Sequence, residues 1–261
     1  MLPKDDTPLI QVQHLTASYY GSVVLDDVCF DVSRGEVFVI AGRSGSGKST
    51  LLKHMIGLYQ PRMGHILIGG QDLVTAEGDD RRKIIKDIGV AYQMGALFAS
   101  MTLLENVRLP LEEYTDLPLD AMDMIARMKL KLVGLDAFID YMPSELSGGM
   151  QKRAAIARAM ALDPQILFLD EPSAGLDPIT SAELDHLILG LARNLRITFV
   201  VVSHELASIF TIADRVIMLD REAKNVVASG RPQELRERST SLWVRQFFMR
   251  EVSAEAAEVK A

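Results

Sequence analysis

Residues 42 to 49, Gly-Arg-Ser-Gly-Ser-Gly-Lys-Ser, satisfy the pattern G-x-x-x-x-G-K-[ST] without a mismatch, the spacing that wraps a backbone loop around phosphates. Gly42, Gly45 and Gly47 free the backbone to aim successive N–H groups inward, and a helix beginning there adds the positive end of its dipole. Arg43, Ser44, Ser46 and Thr50 complete the candidate cradle. Lys48 supplies a point charge for the β- and γ-phosphates of a nucleoside triphosphate, and the Ser49 hydroxyl is placed to ligate Mg²⁺.

A second set of candidate groups stands at the ends of two apolar runs. Ile166-Leu167-Phe168-Leu169 leads into Asp170-Glu171, so a strand delivers a carboxylate pair at its C-terminal end, where ligands collect in open α/β sheets. Asp170 takes the position for the Mg²⁺ shell and Glu171 that for polarising an attacking water. Ile197 to Val202 is a similar run, ending in Ser203-His204-Glu205. Only His204 among the five histidines occupies such a strand end. His14, His54, His65 and His186 read as surface or packing residues, and no histidine pair has metal-ligand spacing.

The elements that must position these groups follow from periodicity. Val37 to Ile40 is too short and too uniformly apolar for a helix and suits a central parallel strand before the glycine loop. Alternation around Ile10/Val12 and Val28/Phe30/Val32 predicts half-buried antiparallel strands, with Gly64 to Gly70 another strand and Ile88 to Tyr92 a further one ending at Gln93. Glu77 to Lys86 reads as a solvated helix with a basic cluster, and Leu103 to Ala161 as helical throughout, an insertion into an α/β core. Asp214 to Asp220 and Asn225 to Ser229 form a closing strand pair. Beyond Pro232 an amphipathic helix carries Trp243, Phe247 and Phe248 on one face, which suits a protein interface or the chain's own core.

Bulk properties narrow the function classes. A net charge of −7 over 261 residues argues against a nucleic-acid surface, which normally needs a basic face. The single cysteine, Cys29, reads as a buried structural thiol. No apolar window is long enough to span a bilayer, so the expectation is a soluble cytoplasmic chain that meets a membrane only through a partner.

Leu146-Ser147-Gly148-Gly149-Met150-Gln151 resembles the signature motif of ABC transporter ATPases, and the rest of that family's pattern follows in order. Gln93 matches the Q-loop, Ser173 to Asp177 the D-loop, His204 the switch histidine and Tyr20 the aromatic that stacks on adenine. The resemblance implies ATP and Mg²⁺ as ligands, with the metal at Ser49, Gln93 and Asp170, and catalysis by Glu171, His204 and Lys48. It implies a P-loop NTPase core of α/β class with an antiparallel β-subdomain and a helical signature subdomain: an ATPase domain over 9–235, its helical part about 95–162, then a C-terminal helix and tail over 236–261. Because the glycine loop already serves the phosphates from its own side, Ser147, Gly148 and Gly149 are expected to act on the nucleotide of a second copy, in what the resemblance implies is a head-to-tail homodimer, and Asp177 is expected to bind the nucleotide as well.

Gly95-Ala96-Leu97-Phe98, Pro110 to Pro118, Met142-Pro143-Ser144-Glu145 and Asp177-Pro178-Ile179-Thr180 look like segments of the ATPase subunit of Mla-type, Mce-associated phospholipid transporters. That likeness implies attachment to the cytoplasmic face of the inner membrane through a permease, with a periplasmic Mce-type lipid-binding protein and a small accessory subunit as further partners. The alternative is an ABC importer for another small cargo. A GTPase switch lacks support, because no [NT]-K-x-D guanine motif follows the glycine loop. Ribosome- or DNA-acting relatives bring tandem cassettes or a long coiled-coil insertion, and this chain has neither.

Overall fold

The computed structural model describes residues 8–19 and 21–249. Tyr20, the expected adenine stack, and the tail over 253–261 lie outside the described residues. In chain order the elements are β1 (Ile10–Tyr19), β2 (Ser22–Val32), β3 (Val37–Gly42), α1 (Lys48–Met55), β4 (Met63–Ile68), β5 (Gln71–Asp72), α2 (Gly78–Lys86) and β6 (Ile88–Ala91). The helices α3 (Leu103–Tyr114), α4 (Leu119–Leu132) and α5 (Gly148–Ala159) follow, then β7 (Ile166–Asp170), α6 (Pro178–Leu195), β8 (Thr198–Val202) and α7 (Leu206–Ile212). The strands β9 (Arg215–Leu219) and β10 (Val226–Gly230) and the helices α8 (Pro232–Arg238) and α9 (Leu242–Met249) end the described chain.

Two sheets organise the molecule. The larger has the order β10-β9-β3-β8-β7-β6, parallel except for β10, and the smaller, β2-β1-β4-β5, is antiparallel. All six residues of β3 are buried. Its alternate side chains serve different layers: Val37, Val39 and Ala41 face the core shared with α3 to α7, while Phe38 and Ile40 face α1 and the antiparallel sheet. The same division holds for Leu167/Leu169 against Ile166/Phe168 in β7. Burial on both faces is why these strands read as continuous apolar runs.

The helices start where the sequence supplies acceptors for their first N–H groups. Thr102 and Glu105 form a reciprocal capping box at α3. Ser147 caps α5 by accepting from the Met150 N–H at 3.3 Å, and Asp177 caps α6 by accepting from the Ile179 and Thr180 N–H groups at 3.0 and 3.1 Å. The run α3 to α5 is inserted between β6 and β7, which are hydrogen-bonded neighbours. Among the described residues no helix is long and apolar enough to cross a membrane.

Two expectations need correction. Cys29 is exposed rather than buried, because β2 turns this residue outward between buried Val28 and half-buried Phe30. The C-terminal helix is two helices, broken at Ser239 to Ser241, and its aromatic face packs on the chain's own core: Val244 and Phe248 are buried, and Phe248 meets Phe210 edge-on at 5.7 Å.

Candidate active site

Strand β3 ends at Gly42 in the central sheet, and α1 begins at Lys48, so the intervening loop sits at the C-terminal edge of the parallel strands. Gly47, the N-cap of α1, holds φ 97°. A Cβ there would meet Leu25 Cδ2 at 2.8 Å, and one on Gly42 would meet the Leu219 carbonyl oxygen at 2.4 Å, so the loop closes only with glycine at both positions. Lys48 Nζ donates to the Gly42 and Arg43 carbonyls at 2.9 and 3.2 Å, folding back over the loop. Burial lowers the Lys48 pKa, against the opposing pull of Glu171 and Asp170.

The carboxylates arrive from β7, beside β3's neighbour β8. Burial, then the adjacent Glu171, pushes the Asp170 carboxyl above its ordinary range, with Lys53 and Lys48 acting the other way. Glu171 Oε1 lies 2.7 Å from His204 Nδ1. Glu171 itself is buried and sits at φ 48°, a conformation non-glycine residues seldom adopt and that clusters at functional sites. Its N–H donates to the Val202 carbonyl at 2.9 Å, which fixes the strained turn against β8.

Three buried side-chain oxygens at this place have no hydrogen-bond partner among the described residues: Ser46 Oγ, Asp170 Oδ1 and Glu171 Oε2. Buried polar atoms are normally paired, so this concentration marks positions that exchange bonds with something outside the chain. The N–H-lined glycine loop, Lys48, a hydroxyl at Ser49 and a partnerless Asp170 oxygen together suit a triphosphate with Mg²⁺, a hard cation that takes oxygen ligands.

A cleft of roughly 760 Å³ is lined by Gly42, Arg43, Ser44, Gly45, Gly47, Lys48, Ser49, Thr50, Gln93, Glu171 and His204, while Ser46 and Asp170 are not among its lining residues. The structure thus brings the loop, Gln93 and the Glu171–His204 pair together. Ser147, Gly148, Gly149 and Asp177 do not line this cleft. Gly149 and Asp177 are linked through Thr180 instead: a Cβ on Gly149 would strike Thr180 Cγ2 at 2.4 Å, and Thr180 Oγ1 donates to Asp177 Oδ2 at 2.5 Å.

Sequence reasoning missed four contributors. Lys152, on α5, donates to the carbonyls of Gln93 and Glu171, both at 3.2 Å, and so ties the helix after Ser147 to the strand end that carries Glu171. Val24 and Phe247 also line the cleft, and Trp243 stacks beneath the Arg43 guanidinium at 5.2 Å. No local pattern announces these residues, since each acts across a tertiary contact.

Residues 25–174 match the family described as ABC transporter. Among its relatives, the chain is 42% identical over 238 residues to the probable ribonucleotide transport ATP-binding protein mkl of Mycobacterium leprae, covering 91% of this chain and 68% of that protein. It is 40% identical over 239 residues to the intermembrane phospholipid transport system ATP-binding protein MlaF of Haemophilus influenzae, covering 92% of this chain and 89% of that one. The dimeric post-hydrolysis structure of the ATP-binding cassette MJ0796 with ADP and Pi superimposes with TM-score 0.77 at 31% identity, over 85% of this chain and 98% of its own.

Proposed function

The chain belongs to the ABC transporter family as an ATP-binding, ATP-hydrolysing subunit, and from that premise we propose that its transporter moves phospholipid between the inner membrane and the periplasm. The observation that carries this reading is the 40% identity to MlaF, which runs through nearly the whole of both chains. The mkl relative favours a second reading, ribonucleotide transport, at 42% identity, although a third of that protein lies outside the match. Met94 is almost fully exposed and Phe98 half exposed, on a loop held to α5 by Arg158, which donates to the Gly95 and Ala96 carbonyls. An apolar surface on a pinned loop suits the docking of a permease helix.

In the catalytic proposal, the loop 42–50 and Lys48 hold the phosphates, while Ser49, Gln93 and Asp170 hold Mg²⁺. When bound, the metal offsets charge on the phosphate oxygens. With its proton on Nδ1, His204 donates to Glu171 Oε1 and keeps the side chain oriented, leaving the partnerless Oε2 to accept a proton from water. His204 Nε2 then faces the γ-phosphate. Tyr20 stacks on adenine. Ser147, Gly148, Gly149 and Asp177 serve the nucleotide of a second copy, which accounts for their absence from this chain's own cleft. Residues 9–235 form the ATPase domain, with 95–162 its helical part and 236–261 an appended helix and tail. The subunit works as a homodimer on the cytoplasmic face of the inner membrane, with a permease, a periplasmic Mce-type protein and a small accessory subunit.

Co-purification with the membrane partner, followed by mass spectrometry of what the complex retains, tests the cargo. Glycerophospholipid enriched over the surrounding membrane supports the proposal, whereas retained ribonucleotide without enriched lipid supports the second reading.

A further inference from the structure

On the antiparallel sheet, at positions that do not line the nucleotide cleft, the ladder between β1 and β2 shifts register three times between Val12 and Ser18, the first two shifts on either side of Leu15. Val12 pairs with Phe30 and Leu15 with Val28, so Gln13 and His14 together face Cys29 alone. Ala17 then pairs with Leu25, so Thr16 faces both Asp26 and Asp27. These are opposed β-bulges, one per strand, around a buried Leu15–Val28 pair. Each contains a non-glycine residue in the left-handed region, His14 at φ 52° and Asp27 at φ 53°.

The neighbouring strand locks the first bulge in place. The β1–β4 ladder shifts between Gln13 and Thr16, and Gly64 passes so close that a Cβ on it would meet the His14 carbonyl oxygen at 2.4 Å. The second is held by the Asp27 N–H donating to Thr16 Oγ1 and by Asn225 Nδ2 donating to the Asp27 carbonyl, both at 3.3 Å. Bulges re-aim side chains, and these two aim three exposed donors at one point. His14 Nδ1 lies 2.7 Å from Asp27 Oδ1 and 3.7 Å from Cys29 Sγ, and the three ligand atoms all lie within 4.8 Å of one another. The His14 N–H also donates to Cys29 Sγ at 3.1 Å, which orients the sulfur.

We propose that His14, Asp27 and Cys29 form a zinc site that clamps β1 to β2, with water completing the tetrahedron. An imidazole nitrogen, a carboxylate oxygen and a thiolate are the donors zinc takes, at bond lengths of about 2.0–2.3 Å, and ligand atoms around one tetrahedral ion then lie roughly 3–4 Å apart. The spacing on the sheet needs only side-chain rotation to reach that. The mixed sulfur and nitrogen set disfavours Mg²⁺ and Ca²⁺, so the site is separate in chemistry as well as in place from the one at Ser49 and Asp170.

The test is cobalt titration of the full chain, without a histidine tag or nucleotide, in a phosphine reductant. Cys29 is the only cysteine, so any thiolate-to-cobalt charge-transfer band belongs to it. The expected result is such a band saturating at one equivalent, abolished by zinc, absent in Cys29→Ser and strongly weakened in His14→Ala and Asp27→Asn. Zinc should also raise the melting temperature of the wild type and leave that of Cys29→Ser unchanged. A wild type that shows no thiolate band overturns the site. So does a band indifferent to both His14→Ala and Asp27→Asn, which would mean a thiol binding metal alone. Because the band is read on the unaltered chain first, a variant that folds poorly does not obscure the outcome.

Discussion

Replacing Glu171 by Gln separates the chemistry of this site from its shape. The amide keeps the side chain's volume and an acceptor for His204 Nδ1, which now stands 2.7 Å from Glu171 Oε1, so the strained turn at φ 48° and the cleft should survive. What disappears is the buried, partnerless Oε2, the carboxylate oxygen proposed to take a proton from water. Losing a positioned general base costs roughly 10²–10⁴-fold in rate. At about 1.4 kcal/mol per decade this is roughly 3–5.5 kcal/mol added to the barrier, with no comparable loss in ground-state binding. Steady-state phosphate release should therefore fall by that factor while nucleotide affinity, read by equilibrium binding of ATP, stays near wild type. Size-exclusion chromatography with ATP should also reveal an accumulated dimer, since the nucleotide is no longer consumed. Turnover within about tenfold of wild type would refute the assignment of Glu171, and equal losses in binding and turnover would mean that the substitution had damaged the cleft instead.

The remaining predictions test the other parts of the site. Lys48→Ala on both chains should lower turnover by roughly 10²–10³-fold, yet mixed with Ser147→Arg chains it should recover one intact composite site per dimer; mixtures with no recovered activity would count against sharing between copies. Because burial and Glu171 raise the Asp170 pKa, a higher pH is needed to ionise it, so the acid limb of turnover at low MgATP should lie above the ordinary carboxylate value of about 4; a rate that stays flat down to that pH would contradict it. The same raised pKa means that holding Asp170 ionised costs the nucleotide-free chain stability near neutral pH, so Asp170→Asn should raise its melting temperature, and a lowered one would reverse the sign of the argument. Phe248→Ala should cost about 3–5 kcal/mol in urea unfolding, because the ring is buried against Phe210; a loss under about 1 kcal/mol would mean that α9 does not belong to this core.

What could be read from the sequence, and what could not, divides along local and tertiary lines. The glycine loop was legible because its geometry depends on residues adjacent in the chain, and the strand β3 before it announces itself by burial on both faces. Asp170 and Glu171 were legible because a strand end is a local feature. Lys152 was not, since its two carbonyl partners come from Gln93 and Glu171, far along the chain and together only in the fold. Cys29 was misread because residue type outweighed phase: Val28, Phe30 and Val32 mark the inward face, and their odd neighbour had to point out. The two bulges beside it carry no motif, and His14, Asp27 and Cys29 converge only because register slips on both strands. At the C-terminus the aromatic face was legible, but not what it would cover, and the break at Ser239 to Ser241 was hidden by continuous amphipathic character.

The central claim is that ATP turnover at this site drives phospholipid between the inner membrane and the periplasm. Its most direct measurement uses the assembled transporter in vesicles containing a fluorescent phospholipid, with movement followed on adding MgATP. Wild-type complex should redistribute the lipid at a rate that tracks phosphate release, and complex carrying Glu171→Gln should bind ATP and move none. ATP-dependent passage of ribonucleotide with the lipid left stationary would contradict the account.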